Sequence, residues 1–260
     1  MMDNDIVPGL LEAINQQFDE KTYNSAKLKN ALKLLKENKA TYGDVNDYAV
    51  EVGKILSEVF GVNINADVLP DGKMYFNIAD RLLNETLQKN YDLITNYASD
   101  VQTQLNHNAG YKLKAQVPEI NHDRIDGIVN RISSEDDFDQ IKWLLNEPIV
   151  TFSQSIVDDT IEKNVEFQAK SGLTPTIKRT VVGKPCEWCR NLAGTFEYFD
   201  KNMPAEIYHR HERCRCIVEY DPGNNKKQDV WSKKWRDPNK KAKIAARKTM
   251  NLSKRSWPKS

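Results

Sequence analysis

A chain of 260 residues with 39% hydrophobic content is long enough to bury one large core or two ordinary ones. It contains no run of about 18 apolar residues, which excludes an ordinary helical membrane span. Its opening, MMDNDIVPGLLEAINQQFDE, is acidic and amphipathic where a secretory signal would be basic and then apolar, so a reducing, cytosol-like compartment is expected. The net charge of +1 hides a division: residues 224–260 hold 13 Lys and Arg against Asp229 and Asp237, leaving 25 basic and 35 acidic residues in 1–223. An acidic body carries a basic tail suited to polyanions.

Residues 1–110 alternate apolar and polar positions at helical spacing and predict a helical domain. Leu28, Leu32 and Leu35, then Val45, Tyr48, Val52, Ile55, Leu56 and Val59, follow the i, i+3, i+4 rule. The strongest periodicity covers 74–106, where Phe76, Ala79, Leu83, Leu87, Tyr91, Ile94, Tyr97, Val101 and Leu105 form one stripe. Such a stripe reads as a core face. A helical connector region is expected over 111–172. A polar stretch over 106–124 leads into it and carries His107 and His122, both read as surface or capping groups, and short helices follow at 123–132 and 135–145. A longer helix follows, opened by Pro148 and closed by Gly172, with Ile149, Phe152, Ile156, Ile161 and Val165 inward. Its carboxylates Asp158, Asp159 and Glu162 have no nucleophile or base beside them in sequence and read as a solvated face.

At Leu173 the pattern changes from helix to strand. IKRTVV, TFEYF and CIVEY are short, β-branched or aromatic, and separated by turn residues, which predicts a small antiparallel sheet over 173–223. MPAEIY adds a helical turn. In the basic tail, 224–260, QDVWSKKW reads as one further strand and the remainder as helical or disordered. The expected fold class is therefore α+β: a helical amino-terminal part, then a small sheet module.

All four cysteines, Cys186, Cys189, Cys214 and Cys216, fall inside that module, with His209 and His211 between them. The pattern is CxxC facing HxHxxCxC. A CxxC turn places two sulfurs close enough to share a cation held at about 2.3 Å, and Cys214 and Cys216 face one side if their segment is extended. Four thiolates, or three with His211, then meet round one structural zinc that staples a module with little core of its own. Thiols packed as small hydrophobes, or a disulfide, are the alternatives. A redox CxxC is disfavoured because CEWC follows GKP and does not end a strand entering a helix. A metal-dependent nuclease of the HNH kind needs a further Asn or His after its base histidine; no histidine follows His211, and Asn224 and Asn225 fall in a turn.

The stretches VVGKPCEWCRNLAGTFEY, YHRHERCRC and VEYDPG together resemble the minor head proteins of tailed bacteriophages, the group related to the F protein of phage Mu. The shared element is H-x-x-C-R-C, here His211, Cys214, Arg215 and Cys216, paired with a cysteine knuckle. AGYKLKAQVPEINHDRIDGIV and EPIVTFSQSIVDDTI are similar to the corresponding regions of minor head proteins from phages of Gram-positive hosts. The likeness covers about 110–235. Where family members often carry Pro-Asn before the CRC, this chain has Glu212 and Arg213.

The resemblance implies a structural protein and no enzyme: a few copies per virion, association with portal and capsid proteins, packaging inside the head, and in some members DNA binding and passage with the DNA. The expected location is the phage head, with the host cytoplasm during assembly. Non-specific contact with double-stranded DNA is expected from Lys226, Lys227, Lys233, Lys234, Arg236, Lys240, Lys241, Lys243, Arg247 and Lys248, interleaved with Trp231 and Trp235. The rival readings are a metal-dependent nuclease or toxin, and a zinc-ribbon module that reads nucleic-acid sequence.

Overall fold

The computed structural model describes residues 5–211, 213–223, 242 and 244–247. The expected strand at 228–235 and both its tryptophans lie outside them. The chain divides into two units, Met1–Asn224 and Asn225–Ser260. In the second, Ala242 and Ile244–Arg247 are helical. No helix among the described residues is long and apolar enough to cross a membrane.

The first unit is α+β, mostly helical with one three-stranded sheet. Helices α1 (Val7–Asn24) and α2 (Ala26–Lys36) meet at Ser25, which leaves the first helix in extended conformation and caps the second by accepting the Leu28 N–H. α3 (Tyr42–Asn63) starts with a capping box: Thr41 accepts the Asp44 N–H at 3.3 Å and Asp44 accepts the Thr41 N–H at 2.8 Å. The long stripe forms α4 (Phe76–Asn108), and its centre from Ala79 to Val101 lies in the core. Leu32 departs from the expected stripe. α2 packs through Leu28 and Ala31, which leaves Leu32 on the helix edge and exposed.

Beyond α4 the chain runs extended, so its backbone groups must find partners outside a sheet. Asn164 supplies two of them, accepting the Gln116 N–H at 2.8 Å and donating to the Gln116 carbonyl at 2.7 Å. The Tyr91 hydroxyl donates to the Pro118 carbonyl. Then come α5 (His122–Ile132), α6 (Phe138–Ile141) with a 3₁₀ turn over Lys142–Leu145, and α7 (Glu147–Lys170). Gly172 ends α7 at φ +84°, with Leu173 N–H bonded to the Gln168 carbonyl and Gly172 N–H to that of Ala169, the paired bonds of a Schellman stop.

α7 is the central element. From Ile149 to Asp158 every side chain is buried, because α3, α4 and the sheet cover it on several sides. Polar residues on such a helix need specific partners. Ser153 accepts from Asn90 at 2.8 Å, Gln154 donates to Asn46 at 3.0 Å, and Gln168 donates to Asn106 at 2.7 Å. Each bond joins residues more than 60 positions apart and fixes the helix in register.

The sheet has the order β2-β1-β3, all antiparallel, from β1 (Thr176–Thr180), β2 (Gly194–Glu197) and β3 (Ile217–Asp221). Its inner face carries Ile177, Arg179, Val218 and Tyr220. Tyr220 meets Tyr42 of α3 edge-on at 6.1 Å, so sheet and helices share one core. A six-residue helix, α8 (Glu187–Leu192), sits between β1 and β2; the sequence reading missed it.

α3 and α7 approach closely at Gly53 of α3. A Cβ there would stand 2.6 Å from Ser153 Oγ and 2.9 Å from the Val150 Cα, whereas one at Gly61 of the same helix meets nothing within 4 Å. Gly53→Ala should therefore destabilise by about 1–3 kcal/mol through overpacking. Gly61→Ala should be neutral or stabilising by up to about 1 kcal/mol, from helix propensity. Urea denaturation of the two variants measures the difference.

Candidate metal centre

Cys186 is the N-cap of α8, and its sulfur accepts the backbone N–H of Cys189 at 3.4 Å. One turn of helix thus brings the two knuckle sulfurs together, Cys186 exposed and Cys189 buried. The second half arrives from the loop before β3. Arg213 takes a left-handed φ of +59°, and the Cys214 N–H bonds back to the His211 carbonyl at 3.2 Å. That tight turn leads directly into Cys214, whose sulfur is buried together with that of Cys216.

The imidazole Nε2 of His211 lies 3.3 Å from Cys186 Sγ and 2.9 Å from Cys189 Sγ, and Cys189 Sγ lies 3.7 Å from Cys214 Sγ. Two groups result, Cys186–Cys189–His211 and Cys189–Cys214–Cys216, each with all ligand atoms within 4.8 Å of one another. Such groups are close enough to hold a metal ion. All four cysteines are free thiols. The 3.7 Å between Cys189 and Cys214 is far beyond a disulfide bond of about 2.05 Å.

Thiol chemistry differs across the cluster. The backbone N–H of Cys189 holds the Cys186 thiol below its ordinary range. Burial opposes ionisation of Cys214, but the Cys216 N–H and the Arg210 charge outweigh it and pull this thiol down as well. Cys189 goes the other way, pushed far up by burial and by bonds to the neighbouring thiols. A cation at the centre removes that competition, because thiolates bind it directly.

Three arginines lie around the sulfurs, and little in their local sequence marks them. Arg179 is buried on the inner face of the sheet, donating to the Ile207 carbonyl and, at 3.7 Å, to Cys214 Sγ, with its guanidinium 5.5 Å from the Trp188 ring centroid. Its signal was the strand alternation, since residue 179 is in phase with Ile177. Arg210 donates to both carboxylate oxygens of Asp158 and to the Cys216 carbonyl at 2.6 Å. Arg215 pairs with Glu147 and reaches the Gln154 side chain and the Cys214 carbonyl, each at 3.3 Å. Nothing local in sequence links Arg210 to Asp158, 52 residues away.

The solvated face expected for Asp158, Asp159 and Glu162 is corrected here. Asp158 is 1% exposed and ion-paired, Asp159 is half-buried, and only Glu162 is exposed. The knuckle docks onto this side of α7 and covers it. His209, His107 and His122 are exposed and stand apart from the cluster.

Of the proposed DNA contacts, Arg247 is described, as an exposed helical residue. Lys226, Lys227, Lys233, Lys234, Arg236, Lys240, Lys241, Lys243 and Lys248 lie outside the described residues. Comparison with family models, curated proteins and solved structures finds no match to this chain.

Cys189 belongs to both ligand groups, so Cys189→Ser should lower metal content from about one ion per chain to near none, as read by native mass spectrometry. Cys186→Ser and Cys216→Ser each touch one group, and the variant that retains its metal reveals the ligand set.

Asp159 provides a test in pH. Burial, with the Asp158 charge beside it, raises its carboxyl to about 7, against the opposing pull of Arg124. A folded-state value above the unfolded one gives stability that is full below about pH 4 and is lost as pH rises towards 7. Asp159→Asn should flatten this decline and raise stability at pH 8 by on the order of 2–4 kcal/mol, measured by denaturation across pH.

Proposed function

We propose that this chain is a minor head protein of a tailed bacteriophage, a structural protein and not an enzyme. In this reading it associates with portal and capsid proteins, assists head assembly and genome packaging or ejection, and touches duplex DNA without sequence preference. One observation carries it. The two motifs on which the resemblance rests, CEWC and H-x-x-C-R-C, are separated by 21 intervening residues yet meet in one Cys/His cluster.

We further infer that the ion is zinc. Thiolates and imidazole are the donors zinc prefers, and a tetrahedron with Zn–S near 2.3 Å has sulfur edges of about 3.8 Å. The 3.7 Å between Cys189 and Cys214 fits that edge. Four positions are to be filled from Cys186, Cys189, Cys214, Cys216 and His211. The apolar cluster at the sulfurs themselves is small, three cysteines with Val181 and Trp188, so an ion would add cohesion there beside what the sheet gains from the shared core.

The basic segment supports the DNA half of the reading. Its 13 Lys and Arg neutralise phosphates and release counterions, giving a log–log salt slope of about −0.9 per phosphate contacted.

The test has two arms. Particles purified from the host that carries the gene should contain the chain, and its absence by mass spectrometry would overturn the head-protein assignment. Truncation after Gly223 should abolish duplex binding by the purified protein at low salt. Equal affinity of the truncated chain would remove the tail as the DNA-binding element.

A further inference from the structure

A cavity of about 350 Å³ opens between α5, the first turns of α7 and the knuckle. That volume is at the lower end of the range for small-molecule sites. Its polar wall consists of Arg124, Arg131, Arg210, His211 and Thr151, and no carboxylate lines it. This sets it apart from the larger groove at the start of α5, about 530 Å³, which Asp159, Glu162 and Glu166 line.

The cavity's charges are not equally committed. Arg131 is matched by Glu135 at 2.8 Å, and Arg210 by Asp158. Arg124 bonds through its backbone, with the N–H on Asn121 Oδ1, but its guanidinium has no hydrogen-bond partner among the described residues. Burial pushes this guanidinium's pKa down, against the longer-range pull of Asp159 and Asp158, so it stands partly desolvated and incompletely matched. A second observation is independent of charge. Thr151 is 5% exposed and its hydroxyl has no hydrogen-bond partner among the described residues. Buried hydroxyls are normally bonded. Ile128, Leu144 and Phe152 also line the cavity and give it apolar surface.

We propose that this cavity is a binding site for a small oxyanion carried on an apolar body, with the Arg124 guanidinium and the Thr151 hydroxyl as its donors and the Phe152 side as the seat of the apolar part. A planar guanidinium suits a carboxylate or phosphate because it offers two parallel N–H groups. The hydroxyl donates a third bond to the same group. Metal and DNA are not required for this site, so it stands apart from the head-protein reading.

Calorimetric titration of the full chain with phenyl phosphate, benzoate, inorganic phosphate and benzylamine tests it. One or both aromatic acids should bind saturably at one site and tighter than inorganic phosphate, and the tighter acid names the oxyanion; benzylamine should not bind. Arg124→Gln should weaken the better acid about tenfold or more. Thr151→Val should weaken it severalfold while melting at the same or a higher temperature, since it removes a hydroxyl that is unpartnered without ligand. That variant keeps the test decisive if Arg124→Gln harms folding. Metal content, measured in parallel, should stay constant, which separates loss of the acid from loss of the Cys/His cluster. The basic tail is the same in every variant, so its phosphate binding cancels in the comparison. Equal binding of benzylamine, failure of both acids to saturate, or unchanged affinity in both variants would overturn the proposal.

Discussion

The buried pair of Asp158 and Arg210 is the interaction on which the arrangement of this protein turns. Its carboxylate belongs to the central helix and its guanidinium to the cysteine loop, and both side chains are 1% exposed. Moving either charge out of water is costly, and mutual attraction with added hydrogen bonds is what offsets it. Arg210 uses its remaining reach on the Cys216 carbonyl, so the bond that docks the loop also holds the CRC segment in place. Replacing such a pair by apolar groups is often neutral for stability, whereas deleting one partner strands the other. A pair of this kind favours the register in which both charges are matched, the one in which the cysteine loop lies on α7 here. Burial raises the Asp158 carboxyl above its usual range, against the opposing pull of Arg210.

The same logic governs the helical body. An apolar α7 could slide or rotate against α3 and α4 with little change in buried area, because the hydrophobic effect is non-directional. Ser153, Gln154, Asn164 and Gln168 remove that freedom, since each is buried and each has a particular distant partner. Gly53 then lets α3 approach the Val150 and Ser153 turn without a side chain between them. Polar bonds set which residues meet, and the glycine sets how closely.

What could be read from the sequence follows from how local each signal is. The α4 stripe, the α7 core positions, the stop at Gly172 and the three strands depend on periodicity and on residues within one turn, and all were legible. The clustering of Cys186, Cys189, Cys214, Cys216 and His211 was legible because chemistry-bearing residues are rare enough to stand out. α8 was hidden because six residues carry no period, and its capping group is a cysteine sulfur in place of the usual Ser, Thr, Asp or Asn. The burial of Asp158 was hidden for a different reason. Its partner lies 52 residues away on a loop, and a carboxylate on a helix looks solvated until something is placed over it.

Charge around the sulfurs bears on which ligands a cation would take. Four thiolates about a divalent ion leave a net charge of −2, and three thiolates with a neutral imidazole leave −1, as follows from the ligands' formal charges. Cys186 is exposed and solvated, but net charge on the buried sulfurs needs balance nearby. Arg210 is already matched by Asp158 and Arg215 by Glu147, so neither has a full charge to spare. Arg179 is buried against Cys214 with no carboxylate in ion-pair reach among the described residues, and supplies one positive charge. One uncommitted cation balances the centre with three thiolates and leaves the four-thiolate centre one charge short. His211, within 3.3 Å of two sulfurs, stands where a fourth ligand without charge would be needed if three thiolates held a cation.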